Sequence, residues 1–321
     1  MRYLSYHDEL SSYESLTLNS ENTPHVSYVE ENDTVYFMPI GQSPSSSPKV
    51  GDIAYVDSSS SLKYCSSDDW KSSLGTPVGV VAIPANFLPD SPEMRLIAIY
   101  GVDSAGTRNE TGETFSMWHH STTRYDAPEL DNYYYQGPGL DIESNTIIDS
   151  QGNYRCSDKF TAQLNPYDPG YGWYSTWLYC PSPYKEDGSF NEQFIDNTFF
   201  PYNGYLNPHT DFNGKGNTDI LVGLGTDYTA ANVARKYKAY DGDTLEWYLP
   251  SAGELTVFMH DFNKINVAIA KAGGVEMRRS NYWSSSETSN DGALRLRITN
   301  GTLSGYSKIG NYPVRPFALI S

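Results

Sequence analysis

The sequence predicts an α+β fold, and three observations carry that reading. Strand-like runs occupy the first hundred positions and the C-terminal end, while helix-like periodicity is confined to the stretch after residue 225. The composition, 14% aromatic with 27 Tyr and 26 Gly against only 19% charged residues, belongs to an ordered chain, because disordered chains are poor in aromatics.

Residues 1–49 read as an arm and linker. The runs His25 to Val29 and Thr34 to Met38 flank the acidic turn Glu30-Glu31-Asn32-Asp33, which predicts a small hairpin. Gly41 to Pro48 is Ser/Pro-rich with nothing to bury. From residue 50 to 104 three apolar runs, Asp52 to Val56, Val78 to Ile83 and Met94 to Tyr100, predict a small all-β module. Residues 105–139 are polar and read as a linker or loop, leaving 140–321 as the larger domain.

Within that domain, Thr229 to Tyr240 predicts a first helix, with Ala230, Val233, Ala234 and Tyr237 on one face. A second begins at Ser251, where Ser251-Ala252-Gly253-Glu254 matches the S-x-x-E capping box and Pro250 and Leu255 flank it as a staple would. It runs past Phe258 and Phe262 with a break near Asn263 and ends at Gly273-Gly274. Ala293 to Thr299 alternates as a strand, Leu294, Leu296 and Ile298 inward and Arg295, Arg297 and Thr299 outward. Asn300-Gly301 then signals a two-residue hairpin turn, with a return strand from near Thr302 to about Val314.

Charge and motifs exclude several chemistries. A formal charge of -17 opposes nucleic-acid binding, whose affinity comes from Lys and Arg releasing counterions, and it opposes anionic membranes as well. No apolar run suggests a signal-peptide core or a membrane insertion. Cys65, Cys156 and Cys180 are too scattered for a disulfide framework or zinc site. His119-His120 lie in a polar loop, and no metal or cofactor is expected. The stretch Asp211 to Asp219 has alternate oxygen ligands but departs from a calcium loop at its glycine and distal Glu, so it reads as a solvated turn. Ser284-Ser285-Ser286-Glu287 lacks the elbow of a hydrolase nucleophile, and the chain reads as a non-enzyme.

Four motifs in order are familiar: Trp247-Tyr248-Leu249-Pro250-Ser251-Ala252-Gly253-Glu254-Leu255, then Tyr282-Trp283-Ser284-Ser285-Ser286-Glu287, then Asn300-Gly301, then Val314-Arg315-Pro316-Phe317. With Gly214 to Asp219 ahead of them, they make 140–321 resemble the C-type-lectin-like domain of gut Bacteroidetes and phage proteins. The likeness extends to the variable proteins of diversity-generating retroelements, including phage receptor-binding tropism determinants. It implies two helices and a distorted antiparallel sheet whose C-terminal strands form a binding face. Trp247, Leu249, Trp283 and Phe317 are expected in the core. The Glu-Pro-Asn and Trp-Asn-Asp motifs of calcium-dependent lectins are not in the chain, so calcium-mediated sugar binding is not carried over.

The expected function is a phage fibre or receptor-binding adhesin, made in the host cytoplasm and carried on the virion. A structural decoration or assembly protein is the alternative. The N-terminal region would meet other virion proteins, the chain would assemble as a homotrimer, and the partner would be a host cell-surface glycan or protein. The expected ligand-binding residues are Thr288, Asn290 and Asp291 from the loop before the last hairpin, Arg295, Arg297 and Thr299 on its first strand, and Ser304, Tyr306, Asn311 and Tyr312 on its return.

Overall fold

The computed structural model describes residues 47–120, 127, 130, 183–185, 187–192, 208–289, 292–299 and 302–321, with the strand segments 15–18, 24–29, 35–39, 146–148 and 154–156. The chain divides into two units, Met1–Ser47 and Pro48–Ser321. In the first, β1 (Ser15–Leu18), β2 (Pro24–Val29) and β3 (Val35–Pro39) form an antiparallel sheet in that order, Tyr28 opposite Tyr36. The hairpin β2–β3 lies within a residue of its predicted place. The short run Ser-Leu-Thr-Leu of β1 carries too little pattern to be read from sequence.

The second unit opens with β4 (Ile53–Val56), β5 (Leu62–Cys65), β6 (Thr76–Ile83), β7 (Met94–Ala98), β8 (Gly101–Val102), β9 (Arg108–Asn109) and β10 (Phe115–Met117). After the pair β11 (Thr146–Ile148) and β12 (Tyr154–Cys156) come α1 (Gly214–Leu224), α2 (Thr229–Lys236), β13 (Trp247–Tyr248), α3 (Ala252–His260) and α4 (Phe262–Lys271). The chain finishes with β14 (Asn281–Ser289), β15 (Gly292–Arg297), β16 (Thr302–Ser307), β17 (Asn311–Pro313) and β18 (Phe317–Ile320). The fold is mixed α+β with antiparallel sheets.

The boundary expected inside 105–139 is replaced by continuity. One sheet runs β13-β18-β7-β6-β4-β5, so the C-terminal strand lies against β7 of the supposed separate module, Phe317 opposite Ile97. The reason is in β6 and β7, whose apolar runs are continuous and therefore covered on both faces. One cluster joins Val80, Ala82 and Ile97 to Phe258, Phe262, Ile265 and Ile269 of α3 and α4. Another joins Val78, Ala98 and Ala318 to Ala230, Val233 and Ala234 of α2 and to Trp118, Trp247 and Trp283. A module of 50–104 alone could not supply those layers. Trp118 also ties the expected linker to the body, its Nε1 donating to the Ser284 carbonyl at 2.7 Å.

The capping box of α3 is present in both directions. Ser251 also donates its hydroxyl to the Asp211 carbonyl at 2.5 Å, and Gly253 N donates to the same oxygen at 3.0 Å. A Cβ at position 253 would stand 2.5 Å from that oxygen, which is why the motif needs glycine there. Trp247, Leu249, Trp283 and Phe317 are fully buried.

Residues 211–219 are not a solvated turn. Asp211 is buried, and Gly214 begins α1, a helix that its three glycines hide from sequence patterning. Its polar residues are spent internally: Asn217 donates to Asp211 Oδ2 at 2.9 Å, and Thr218 Oγ1 accepts from Leu249 N at 3.0 Å. Burial raises Asp211 from its ordinary 3.8 to about 6, against hydrogen bonds from Ser286, Asn213 N and Asn217 that favour the carboxylate, with the charge of Glu254 adding to the rise. Between pH ~4 and ~6 the folded chain therefore holds more proton at this site than the unfolded one. Its contribution falls by about 3 kcal/mol as pH rises through that window and levels off above it. Urea midpoints for the native chain and Asp211→Asn should differ in slope only between pH ~4 and ~6; parallel slopes across that window would refute the assignment.

Candidate ligand-binding face

β14, β15 and β16 form the second sheet, and its irregularity positions the site. Trp283 is opposite Arg295 but Glu287 is opposite Ala293, so two extra residues of β14 bulge between them. The bulge turns the serine run inward. Ser284 donates to the Leu294 carbonyl at 2.8 Å, Ser286 to Asp211 Oδ2 at 2.5 Å, and all three serines are buried. Their hydroxyls serve as joints between β14, α1 and α3.

Leu294 and Leu296 on β15, and Ile298 just past its end, enter the core as expected. Arg295, on the other face, is half-buried and stands opposite Ser304, to whose hydroxyl its Nε donates at 3.2 Å. Tyr306 stands opposite the small Ala293, one diagonal from Arg295. The guanidinium lies 4.1 Å from the Tyr306 ring centroid and 4.4 Å from that of Tyr312. The two rings meet edge to face at 5.3 Å, and Tyr312 in turn meets Trp283 at 5.0 Å. Trp283 is fixed by donating Nε1 to the Ser116 carbonyl at 2.9 Å. The result is a charged group clamped by two tyrosines, one of them 45% exposed, on a rigid indole base.

Burial pulls the Arg295 guanidinium below its ordinary value, with the like charge of Arg297 contributing. Burial likewise raises the Tyr312 phenol, which also bonds to Tyr306. Among the described residues no carboxylate forms an ion pair with Arg295. A half-desolvated guanidinium of this kind has charge and donors to offer a polar ligand.

The return strand is shorter than expected. β16 ends at Ser307, and after a turn β17 leaves the sheet to pair with β10, Tyr312 opposite Ser116. That departure is what brings Tyr312 beside Arg295. Arg297 faces Thr302, so four residues, not two, span the hairpin turn. Asn300 and Gly301 lie outside the described residues.

Of the expected site residues, the fold gathers Arg295, Ser304, Tyr306 and Tyr312, with Arg297 exposed next along β15. Thr299 is exposed in the turn beyond the strand, and Asn311 is exposed next to Tyr312, where strand alternation directs it to the opposite face. Thr288 is buried within β14, not in a loop, because β14 continues to Ser289. Asn290 and Asp291 lie outside the described residues. His119 is buried against the Tyr228 ring, centroids 4.6 Å apart. Among the described residues no group of three His, Cys, Asp or Glu could hold a metal, and no helix is long and apolar enough to cross a membrane.

Sequence reading missed three supporting residues. In the sequence Trp283 reads as core, Ser116 as loop, and Gly310 carries no signal. A Cβ at position 310 would lie 2.8 Å from Tyr306 Cδ1 and 3.0 Å from Tyr312 Cε2. Gly310→Ala is expected to displace the Tyr306 ring from Arg295 while changing stability by less than about 1 kcal/mol, as surface changes do. A crystal structure of the variant with the ring still over the guanidinium would contradict this.

No family model matches the chain, and no curated protein matches it. Among solved structures, a fimbrial protein from Bacteroides ovatus ATCC 8483 is similar over 93% of this chain at 14% identity and a TM-score of 0.41. The chain spans 57% of that protein's length, and a likeness at that score carries no argument.

Proposed function

We propose that the chain is a non-enzymatic adhesin whose Arg295, Tyr306 and Tyr312 grip a polar molecule on a host cell surface. The observation that carries the reading is the guanidinium held between two tyrosine rings without a carboxylate partner among the described residues. Tyrosine provides rigid amphipathic area and arginine directional charged donors, the pair that dominates recognition surfaces.

The finer reading rests on the resemblance of the four motifs. It makes 140–321, completed by strands from the preceding residues, a C-type-lectin-like domain, and it makes the protein a trimeric phage fibre or receptor-binding component anchored on the virion through residues 1–49. The explained roles of Ser251, Gly253 and the serine bulge support a built-in scaffold beneath a variable face. The test is attachment of the labelled full chain to a panel of gut Bacteroidetes strains. Saturable attachment to some strains and not others is expected. Uniform failure across the panel would favour the decoration or assembly reading instead.

A further inference from the structure

Acids outnumber bases 39 to 22 in the chain, yet one cleft reverses that balance. It has a volume of about 290 Å³ and forms where the β8–β9 turn meets the end of α2, with Arg108, Lys236, Lys238, Tyr240 and Asp241 in its walls. The three cations come from separate places: β9, the last turn of α2, and the turn after it. A cation at a helix C-terminus suits the helix dipole, which accounts for Lys236 but not for the other two.

The cations are held in place more than they are neutralised. Lys238 Nζ donates to the main-chain oxygen of Asp243 at 2.8 Å, a bond that fixes the ammonium and leaves its charge. Arg108 donates Nη1 to the Ala239 carbonyl at 2.5 Å, and its Nη2 lies 2.9 Å from Glu110 in a pair open to water, where screening weakens the attraction. Lys236 is exposed and has no carboxylate partner among the described residues. The wall opposite is braced, since Asp103 Oδ1 accepts from Ala105 N at 2.9 Å and Thr107 N at 2.8 Å. Gly106 closes the approach. Its φ is +88°, and a Cβ there would stand 2.6 Å from the Cβ of Lys236.

We infer that this cleft is a second binding site, for a single carboxylate-bearing sugar. Its volume lies at the small end of the roughly 300–1,000 Å³ of ligand pockets. Converging ammonium and guanidinium donors suit a carboxylate, and the half-buried Tyr240 supplies an aromatic surface for the sugar's apolar face. The site shares no residue with the Arg295 face and does not depend on that reading.

Saturation-transfer NMR of the full chain, titrated separately with glucuronate, acetate and glucose, tests the inference. Glucuronate is expected to saturate in the millimolar range, acetate to bind at least about tenfold more weakly for want of the sugar contacts, and glucose not to bind. Lys236→Glu should weaken glucuronate about tenfold or more with an unchanged melting temperature, and Lys238→Gln should repeat the result if the first variant is unstable. No saturation by glucuronate, acetate binding as tightly as glucuronate, or glucuronate binding unchanged in both variants would each overturn it.

Discussion

Glu254→Ala is expected to destabilise the chain by about 3–5 kcal/mol, the usual cost of stripping one partner from a buried ion pair. Glu254 is fully enclosed, and its carboxylate accepts from Arg95 Nε, Tyr248 Oη and Ser251 N, each at 2.9 Å. Those donors come from β7, from β13 and from the start of α3 respectively, so one side chain pins a helix to two strands of the main sheet. Its removal leaves the buried guanidinium of Arg95 with the Glu93 carbonyl and the Ser91 hydroxyl as acceptors but with no carboxylate among the described residues. Arg95→Met should cost less, because Glu254 keeps its two other donors. The urea midpoint of each variant measures this, and a loss below about 1 kcal/mol for Glu254→Ala would show that the network is dispensable.

Lys308→Met is expected to cost a similar amount, about 3–5 kcal/mol, and to loosen the candidate site as well. Lys308 and Glu287 form a buried ion pair, with the ammonium 4.9 Å from the Trp118 ring centroid. The Lys308 carbonyl accepts from Trp118 N at 2.9 Å and His119 N at 3.0 Å. The residue therefore fastens the turn that carries Tyr306 on one side and Tyr312 on the other. Methionine conserves most of the volume and leaves the buried Glu287 carboxylate with the Ala127 N–H, at 3.3 Å, as its remaining donor among the described residues. Adding Glu287→Gln should restore most of the loss, since the uncompensated charge is gone while an acceptor for Ala127 remains. A double variant as unstable as the single one would mean that packing of the lysine stem, not the charge, holds the turn.

The local signals of the sequence were legible wherever one element decided its own geometry. The capping box set the start of α3, the break appeared at Asp261 close to the predicted Asn263, and the alternation of 294, 296 and 298 gave the inward face of β15 correctly. What long-range pairing decides was not legible. Nothing in Phe317 to Ile320 says that this strand lies beside β7, and nothing in Thr302 to Pro313 says that one predicted strand divides in two. α1 was hidden because burial and hydrogen bonding by Asn217 and Thr218 override three helix-weakening glycines.

The candidate site divides the same way. Arg295, Ser304 and Tyr306 follow from hairpin register and could be read ahead of the structure. Their union with Tyr312 depends on β17 leaving for β10, and the enclosure of Thr288 depends on the length of β14.

The central claim, that the Arg295 face is where the chain meets its host, is tested most directly by one comparison. Attachment of the full chain and of its Arg295→Ala/Arg297→Ala/Tyr306→Ala variant is measured on a strain that the native chain binds, with matching circular dichroism and melting temperatures as the check on folding. Losing charge-assisted hydrogen bonds worth about 1.5–3 kcal/mol, together with a tyrosine anchor, should lower attachment by about a hundredfold or more. Undiminished attachment by a folded variant would contradict the account and direct the search for the receptor site to the tyrosine-rich stretch 132–180.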